Sequence, residues 1–415
     1  MIFLFIHQNF PAQYRHLAQL YSSQPGNSVY FITQPNGNQI PGVTKLTYEK
    51  PAREATGCHP FTLDLDDAVR NGLAVAELCR TLRDRGILPD IVIGHGGWGE
   101  TLFVKDVFLD TPLLTYFEFY YHSLGVDVDF DPEFTSIFRD PSRLRTKNAV
   151  NLIAFDAADW GHTPTRWQRS LYPPEMRHRI TAIHEGIDTD VVSPDRAAWL
   201  KLARDNLVLS RRDEVITYVA RNLEPYRGFH VFMRALPEIL RRRPRAQVMI
   251  VGGDGVSYGH PAPPGTSYRE MMLREVGDRI DLARVHFLGQ IPYAAYLNLL
   301  QVSAVHVYLT YPFVLSWSFI EALAAGCLVI GSATPPVLEV LRDRENGLIV
   351  DFFSAQELAD RIDEVLDHPD QMQALRDAAR RTAVENFALK TRQLPRWVGL
   401  IDDLLAGQRP PLDLS

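Results

Sequence analysis

The stretch of residues 316–330 has the residue types of a phosphate-binding helix start followed by a buried strand. Ser318 can cap a helix that Gly326 can end, and residues 328–330 then open the strand. The free N–H groups and positive dipole end of such a helix favour a phosphate-bearing ligand. Glu321 can hold the paired hydroxyls of a ribose, so the chemistry indicated is nucleotide-sugar binding. A capping box between Ser318 and Glu321 explains the same spacing equally well.

Two arginines flank a turn that follows another predicted strand, residues 215–220. Arg221 comes directly after the strand, and Arg227 stands six residues later, just before Gly228. Planar guanidinium groups match phosphate oxygens, so the two side chains can hold a diphosphate from two sides. Incidental arginines on a solvated turn are the alternative. The position at the carboxyl end of a strand favours the functional interpretation.

Three loops in the first half of the chain also follow predicted strands and carry polar side chains among glycines or aromatic residues. They contain Asn9, His95 and Glu118. A single histidine in such a loop is more often a hydrogen-bonded structural residue than a catalyst. Three such loops that converge on one cleft are less easily explained in that way, so we include all three residues in the predicted site.

Two charged segments have a functional and a structural interpretation. Asp127, Asp129 and Asp131 alternate in the manner of the carboxylates that hold a divalent ion in many sugar transferases. A solvated acidic loop is favoured, because arginines can already neutralise a diphosphate, and we predict neither a metal site nor a cofactor. A basic patch could bind an anionic acceptor or a membrane surface, although a solvated face is favoured; its residues are Arg139, Arg143, Arg145 and Lys147.

Length and composition exclude several classes of protein. The chain has 415 residues, enough for two or three domains, and a formal net charge of −7, which argues against a general nucleic-acid binder. Its three cysteines have no metal-ligand spacing and suit a reducing compartment. No apolar stretch is long enough to span a bilayer, and residues 1–6 are too short for a signal peptide. These features predict a cytoplasmic protein.

The elements that position these residues alternate between short apolar runs and segments of helical periodicity. Alternation of this kind predicts parallel sheets, and two separate series predict two doubly wound α/β domains with ligands at the carboxyl ends of the strands. We place the domains at 1–190 and 191–395, followed by a C-terminal helix and tail at 396–415. The predicted strands are residues 2–6, 29–33, 91–93, 113–115, 151–155, 180–183, 215–220, 247–251, 285–288, 305–309 and 328–330.

Together these motifs resemble the family 4 retaining glycosyltransferases, in particular a bacterial subgroup with residues similar to His7–Pro11 and Tyr116–Tyr121. The resemblance implies the GT-B architecture, two facing Rossmann-like domains with a cleft between them. It assigns catalytic roles to Glu118, Arg221 and Arg227. The residues that it assigns to the sugar donor are Asn9, His95, Arg221, Arg227, Gly253, Phe287, Leu288, Ser316, Trp317, Ser318 and Glu321.

The chain departs from the family pattern at four places: Phe313, Glu118, Ser316–Ser318 in place of a Gly-hydrophobic-hydrophobic stretch, and Pro11-Ala12 in place of a Gly-Gly pair. Phe313 stands eight residues before Glu321, where the family has a first glutamate that contacts the transferred sugar. Glu118 replaces the histidine often assigned to the reacting centre, and could orient the acceptor, stabilise oxocarbenium charge or act as a base. These departures put sugar recognition in question.

The resemblance implies metal-independent transfer of a hexosyl or N-acetylhexosaminyl group, with retention, from a nucleoside diphosphate sugar to an acceptor hydroxyl. A UDP-linked sugar is favoured. The acceptor could be a glycan, a lipid-linked molecule, a peptide or protein, or a small molecule, and peripheral membrane contact is compatible with the sequence. The alternatives are a catalytically degenerate nucleotide-sugar-binding protein or partner subunit, and a nucleotide-sugar 2-epimerase.

Overall fold

The structure is a computed structural model that describes residues 1–50, 52, 57–134, 140–202 and 207–413. The chain forms two compact units. The first consists of Met1–Gly125, Ile137–Gly186 and Lys390–Ser415, and the second of Val126–Ser136 and Ile187–Leu389. Among the described residues, no helix combines the length and apolar character needed to cross a membrane.

The first unit contains a seven-stranded parallel sheet with the order β3-β2-β1-β4-β5-β6-β7. Both faces of the central strands are buried, which explains why they appear in the sequence as continuous apolar runs. The strands are β1 (Ile2–Ile6), β2 (Ser28–Thr33), β3 (Val43–Thr47), β4 (Ile91–His95), β5 (Leu113–Tyr116), β6 (Trp160–Thr163) and β7 (Ile180–Ala182). The helices are α1 (Arg15–Ser22), α2 (Leu63–Asp84), α3 (Pro141–Lys147), α4 (Ala149–Ala157), α5 (Arg166–Leu171) and α6 (Pro174–Arg177).

The second unit contains a six-stranded parallel sheet with the order β12-β11-β10-β13-β14-β15, and a separate antiparallel pair, β8 with β9. Its strands are β8 (Trp199–Leu202), β9 (Leu207–Ser210), β10 (Val215–Asn222), β11 (Gln247–Gly253), β12 (Val285–Gly289), β13 (Val305–Tyr308), β14 (Val329–Ser332) and β15 (Leu348–Val350). Its helices are α7 (Phe229–Arg242), α8 (Tyr268–Val276), α9 (Tyr293–Val302), α10 (Trp317–Ala324), α11 (Pro335–Leu338), α12 (Ala355–Asp367) and α13 (Gln373–Phe387).

The last helix, α14 (Leu394–Leu405), belongs to the first unit. Its Trp397 and Leu400 pack in one core cluster with Phe3 and Phe5 of β1. Trp397 also donates from Nε1 to the carbonyl oxygen of His184, at 3.0 Å. The chain therefore returns to the first unit after it completes the second.

Two doubly wound parallel sheets confirm the predicted fold class. One predicted strand is wrong: residues 151–155 lie within α4, and the strand of that region is β6. The error has a physical reason, because Val150, Asn151 and Ala154 are buried while Leu152 and Ile153 are exposed. That pattern has the period of a helix rather than that of a strand.

Residues 126–134, which we call the acidic segment, belong to the second unit. Asp127 accepts a hydrogen bond from the Tyr226 hydroxyl at 3.0 Å. Asp131 accepts from the Tyr311 hydroxyl at 2.7 Å, and Nε2 of His230 lies 3.1 Å from the same carboxylate. Both aspartates are buried, so the prediction of a solvated loop is wrong. Their burial depends on partners distant in the sequence, and the described residues contain no group of three or more His, Cys, Asp or Glu arranged to hold a metal.

Candidate functional site

Arg227 ends a short 3₁₀ turn, Pro225–Arg227, just after β10. Gly228 follows in the left-handed region at φ +67°, and a Cβ there would lie 2.4 Å from Cβ of Leu309. Only glycine allows the turn to close against that side chain. The Tyr218 hydroxyl, on β10, donates to the carbonyl oxygen of Arg227 at 2.7 Å, and this hydrogen bond fixes the end of the turn to the strand.

The Arg227 guanidinium is 6% exposed and donates only to neutral oxygens in the contacts that the structure gives it. Its Nη1 lies 3.2 Å from the Tyr308 hydroxyl, 2.8 Å from Oγ1 of Thr310 and 3.1 Å from the carbonyl oxygen of Val314. Burial acts to lower its pKa, but Tyr308, Tyr258 and Glu224 outweigh burial and the pKa is raised. A buried permanent cation of this kind is stabilised further by an anion.

Arg221 lies at the carboxyl end of β10 and is exposed. It lines a pocket of about 30 Å³ together with Arg227, Glu224, Tyr258 and Ser316. The structure thus brings together the two arginines and Ser316, which the sequence analysis assigned to one site.

Glu224 is a residue that the sequence analysis did not assign. Its carboxylate is fully buried and accepts from three consecutive backbone N–H groups, those of Ser257 at 3.0 Å, Tyr258 at 3.1 Å and Gly259 at 2.9 Å. These bonds hold the Tyr258 ring 5.1 Å from the Arg227 guanidinium. The sequence signal that could have identified Glu224 is its position between Arg221 and Arg227, in the same turn after a strand.

The helix start at Ser316 differs in detail from the prediction. The N-cap of α10 is Ser316, whose Oγ accepts from the backbone N–H of Ser318 at 3.3 Å. The capping-box interpretation of Ser318 with Glu321 is wrong, because the structure caps the helix two residues earlier. Gly326, with φ +72°, follows the helix end as predicted. Trp317 is 44% exposed at the first position of the helix.

Glu321, assigned to the ribose, is held by two phenols of α9. It accepts from the hydroxyls of Tyr293 at 2.7 Å and Tyr296 at 2.9 Å. Burial raises its pKa and outweighs these two hydrogen bonds, which act in the opposite direction. Phe313, which replaces the first motif glutamate, is buried and packs against the rings of Tyr226 and Tyr258, with centroid distances of 5.4 and 4.9 Å.

Three other residues assigned to the sugar donor, Gly253, Phe287 and Leu288, are not among those that line the 30 Å³ pocket. Gly253 ends β11, whereas Phe287 and Leu288 lie in β12 at the edge of the sheet and are half-buried. The Arg269 guanidinium lies 5.6 Å from the centroid of the Phe287 ring.

The first unit has a second, larger pocket of about 210 Å³, where β4 and β5 end. His95 ends β4, and its Nδ1 accepts from the backbone N–H of Gly97 at 3.0 Å. The proton of the neutral ring therefore lies on Nε2, which is 3.7 Å from Oε2 of Glu118. The indole of Trp98 stacks on the imidazole at a centroid distance of 3.9 Å and fixes its plane.

His95 and Glu118 thus line one pocket, but Asn9 does not line it with them. Asn9 is exposed, and its backbone N–H donates to Nδ1 of His7 at 2.9 Å, while the neighbouring Gln8 lines the pocket. Asn71 also lines it, from α2. The sequence analysis did not identify Asn71, because nothing in α2 distinguishes it from other polar residues of a helix.

Two family models match the chain. One is described as "Glycosyl transferase family 4 group" and matches residues 25–192. The other is described as "Glycosyl transferases group 1" and matches residues 202–382. The first match covers most of the first unit and the second covers most of the second unit.

The proteins similar to the chain include two curated glycosyltransferases. The chain is 28% identical to a D-inositol 3-phosphate glycosyltransferase of Corynebacterium aurimucosum, over 48% of this chain and 46% of the relative. It is 26% identical to a GDP-mannose-dependent alpha-(1-6)-phosphatidylinositol monomannoside mannosyltransferase of Mycolicibacterium smegmatis, over 64% of each chain. The chain spans about half the length of the first of these relatives.

A similar solved structure is that of Anabaena HepE in complex with UDP and glucose. It is 15% identical to this chain, with a TM-score of 0.67, and the match covers 98% of this chain and 100% of the other. This similarity concerns the fold.

Proposed function

The chain belongs to the glycosyltransferases that the family 4 and group 1 models describe and has the GT-B fold, and we propose that it transfers a sugar from a nucleoside diphosphate sugar to an acceptor hydroxyl. The observation that carries this proposal is the buried guanidinium of Arg227, which donates to three neutral oxygens at the carboxyl end of a parallel sheet. A diphosphate supplies the negative charge that such a group favours. Arg221, on the same pocket, would bind it from the solvent side.

In the proposed reaction, the bond from the anomeric carbon to the diphosphate oxygen breaks and a bond to the acceptor oxygen forms. The acceptor proton passes to the departing diphosphate. Arg227 and Arg221 stabilise the charge that develops on this leaving group. The backbone N–H groups of Ser316 and Ser318 already donate to the Tyr308 hydroxyl and to Oγ of Ser316, so the guanidinium groups supply most of the stabilisation.

We assign the acceptor side of the reaction to Glu118, which would orient the attacking hydroxyl and stabilise positive charge on the sugar ring. His95 donates from Nε2 toward the same position. Because Arg221 and Arg227, which we assign to the leaving group, are permanent cations, the proposed reaction needs no metal and no cofactor. Addition of EDTA would then leave the rate unchanged.

We further propose a UDP-linked hexose or N-acetylhexosamine as the sugar donor and retention at the anomeric carbon. The UDP and glucose bound to HepE support the uridine base, whereas the GDP-mannose dependence of the similar mannosyltransferase supports guanosine as the alternative. A thermal-shift panel of UDP-, GDP-, ADP- and dTDP-sugars identifies the base, since a ligand at a hundred times its dissociation constant adds about 2.7 kcal/mol to the free energy of unfolding. NMR of the product then reports the anomeric configuration.

A second candidate function is binding of a nucleotide sugar without transfer. Two observations favour it. Phe313 stands in place of the sugar-contacting glutamate, and the Glu321 carboxylate already accepts hydrogen bonds from two tyrosine hydroxyls. Release of free nucleoside diphosphate that depends on an acceptor separates the two candidates. Binding of a nucleotide sugar without such release, across a broad acceptor panel, would contradict transfer; absence of any nucleotide-induced shift would contradict both.

A further inference from the structure

Two residues that line the 210 Å³ pocket of the first unit each have a buried polar atom for which the described residues provide no hydrogen-bond partner. The two atoms are Nε2 of His95, a residue 1% exposed, and Oδ1 of Asn71, a residue 4% exposed. His95 offers a donor at Nε2, because its Nδ1 already accepts from Gly97. Asn71 offers an acceptor, because its Nδ2 already donates to the carbonyl oxygen of Trp98 at 3.0 Å.

Buried polar groups almost always have partners, so an open donor and an open acceptor on one pocket indicate a ligand that completes them. A hydroxyl group can do both, since it donates one hydrogen bond and accepts two. At about 210 Å³ the pocket is far larger than the ~10 to 15 Å³ that one buried water molecule needs, so it has room for a small ring with hydroxyl groups.

The acidic side chains on the pocket differ in how they are paired. Asp67 lies 3.5 Å from the ammonium of Lys50, and Asp64 lies 3.3 Å from the guanidinium of Arg143. Glu118 has no lysine or arginine within 4 Å among the described residues; its near neighbour is the His95 ring. Glu118 is therefore the carboxylate that is available to a reacting hydroxyl.

Lys147, the last residue of α3, brings a cation to the same pocket. Its ammonium lies 4.1 Å from the centroid of the Tyr121 ring, and within the described part of the chain no carboxylate lies within 4 Å of it. Burial acts to lower its pKa, but Tyr121 and Asp64 outweigh burial and the pKa is raised, so the side chain is charged. Arg139, the first residue of the basic patch proposed from the sequence, lies outside the described residues.

We propose that this pocket binds the acceptor, and that the acceptor is a hydroxylated ring with one anionic substituent. The reacting hydroxyl would lie at Glu118 and Nε2 of His95, a second hydroxyl would donate to Oδ1 of Asn71, and the anionic group would pair with Lys147. The inference rests on the proposed function and names the substrate class of the same reaction. A phosphate or carboxylate on a free sugar and the head group of a sugar-bearing or inositol lipid share this chemistry.

The test is a binding titration in which ligand-observed NMR measures the affinity of the full chain for each probe. The probes are glucose, glucose 6-phosphate, glucuronate and inorganic phosphate. We expect at least one of the two anionic sugars to bind about ten- to a hundredfold more tightly than glucose, the range expected for a charge-assisted hydrogen bond. Lys147→Met should abolish that preference, and Lys147→Arg should keep it. Lys105→Met is the matched control, because Lys105 pairs with Asp159 and does not line the pocket.

A second measurement separates free from lipid-borne acceptors. Co-sedimentation with phosphatidylcholine vesicles is compared with and without added phosphatidylinositol, for the wild type and Lys147→Met. Sedimentation that needs both the inositol lipid and Lys147 supports a lipid head group, whereas an anionic preference in solution supports a free acceptor.

The inference is overturned if glucose binds as tightly as both anionic sugars and the vesicles show no dependence on Lys147. It is also overturned if Lys147→Met keeps the anionic preference. A nucleotide thermal shift measured on the same samples reports the other pocket, at Arg227. If the shift persists while the anionic preference is missing, this inference fails and the proposed function survives; if the shift is missing, the proposed function fails.

Discussion

The pocket at Arg227 and the pocket at His95 differ in how their polar atoms are paired. In the second unit, the Arg227 guanidinium has three oxygen acceptors and the Glu224 carboxylate has three N–H donors. In the first unit, Nε2 of His95 and Oδ1 of Asn71 are buried and have no hydrogen-bond partner in the part of the chain that the structure describes. The pocket at Arg227 holds its charged groups in place before a ligand binds, and the pocket at His95 leaves hydrogen-bonding capacity for a ligand. Preorganised charge suits a leaving group, and open hydrogen bonds suit a partner that must be recognised.

The two pockets also differ in their origin in the chain. Arg221, Glu224 and Arg227 come from one strand-end turn, so local sequence determines most of their geometry. The residues of the other pocket come from α2, β4, α3 and the loop after β5, and only tertiary packing brings them together. The comparison can be tested with variants that affect one pocket and leave the other intact.

The largest effect is expected for Arg227→Met. This variant keeps most of the side-chain volume and removes the charge at the leaving group, so we expect transfer to fall about 10²- to 10³-fold. The nucleotide thermal shift should disappear, and the anionic-sugar preference of the first unit should not change. Arg245→Met is the control, because Arg245 is largely exposed and pairs with Glu214. An unchanged transfer rate in a folded variant would contradict the role of Arg227.

Glu118→Gln tests the other side of the comparison. The amide keeps the shape but cannot stabilise positive charge on the sugar ring as a carboxylate does, so we expect transfer to fall about 10²-fold. The nucleotide thermal shift should equal that of the wild type, in contrast to Arg227→Met. Glu77→Gln on the exposed face of α2 serves as the control. A loss of the nucleotide shift in Glu118→Gln would show that this residue acts on nucleotide binding instead.

These differences also explain how far the sequence alone could lead. The parallel strands were predictable because strands buried on both faces, such as β1, form continuous apolar runs. The strand-end arginines were predictable because parallel sheets bind ligands at that edge. Asn71 was not, since it is an ordinary polar residue of a helix until the fold brings it to the pocket. Lys147 was identified only as one of four residues of a basic patch for which a solvated face was favoured.

Two local misinterpretations have physical reasons. Ser316 and Ser318 are both good helix caps, and only the backbone geometry shows that Ser316 takes that position. The alternating carboxylates of the acidic segment have the pattern of an exposed loop. Their burial depends on Tyr226 and Tyr311, which lie far along the chain.

Glu224→Gln tests how strongly the Glu224 carboxylate preorganises the pocket at Arg227. The amide oxygen can accept from the 257–259 loop, but its NH₂ group faces N–H donors and the charge is lost. We expect the free energy of unfolding to fall by about 2 to 3 kcal/mol, as for a hydrogen-bonded charged group, and KM for the sugar donor to rise about tenfold. Urea denaturation and steady-state kinetics measure the two effects. A normal KM together with a lower stability would limit Glu224 to a structural role.

The pH dependence of the free energy of unfolding tests the contribution of β13, the strand that carries Tyr308, a hydrogen-bond partner of Arg227. His306 lies on β13, two residues before Tyr308, and burial lowers its pKa to about 3. The folded state therefore keeps this ring neutral, while the unfolded state protonates it below a pKa of ~6.5. Its contribution to stability is complete above pH ~6.5 and decreases as the pH falls toward 3, by about 2 kcal/mol at pH 5. His306→Gln should remove that part of the difference between urea midpoints at pH 7.5 and 5, and an equally steep loss would contradict the assignment.

The smallest effect is expected for Tyr226→Phe. Tyr226 stands in the turn between Arg221 and Arg227, and its hydroxyl donates to the buried carboxylate of Asp127 in the acidic segment. Removal of one hydrogen bond to a buried carboxylate should lower the free energy of unfolding by about 1 to 2 kcal/mol, measured in urea. Because the ring still packs against Tyr311 and Phe313, KM for the sugar donor should change less than threefold. A rise as large as that expected for Glu224→Gln would mean that the acidic segment, and not the turn alone, sets the position of the two arginines.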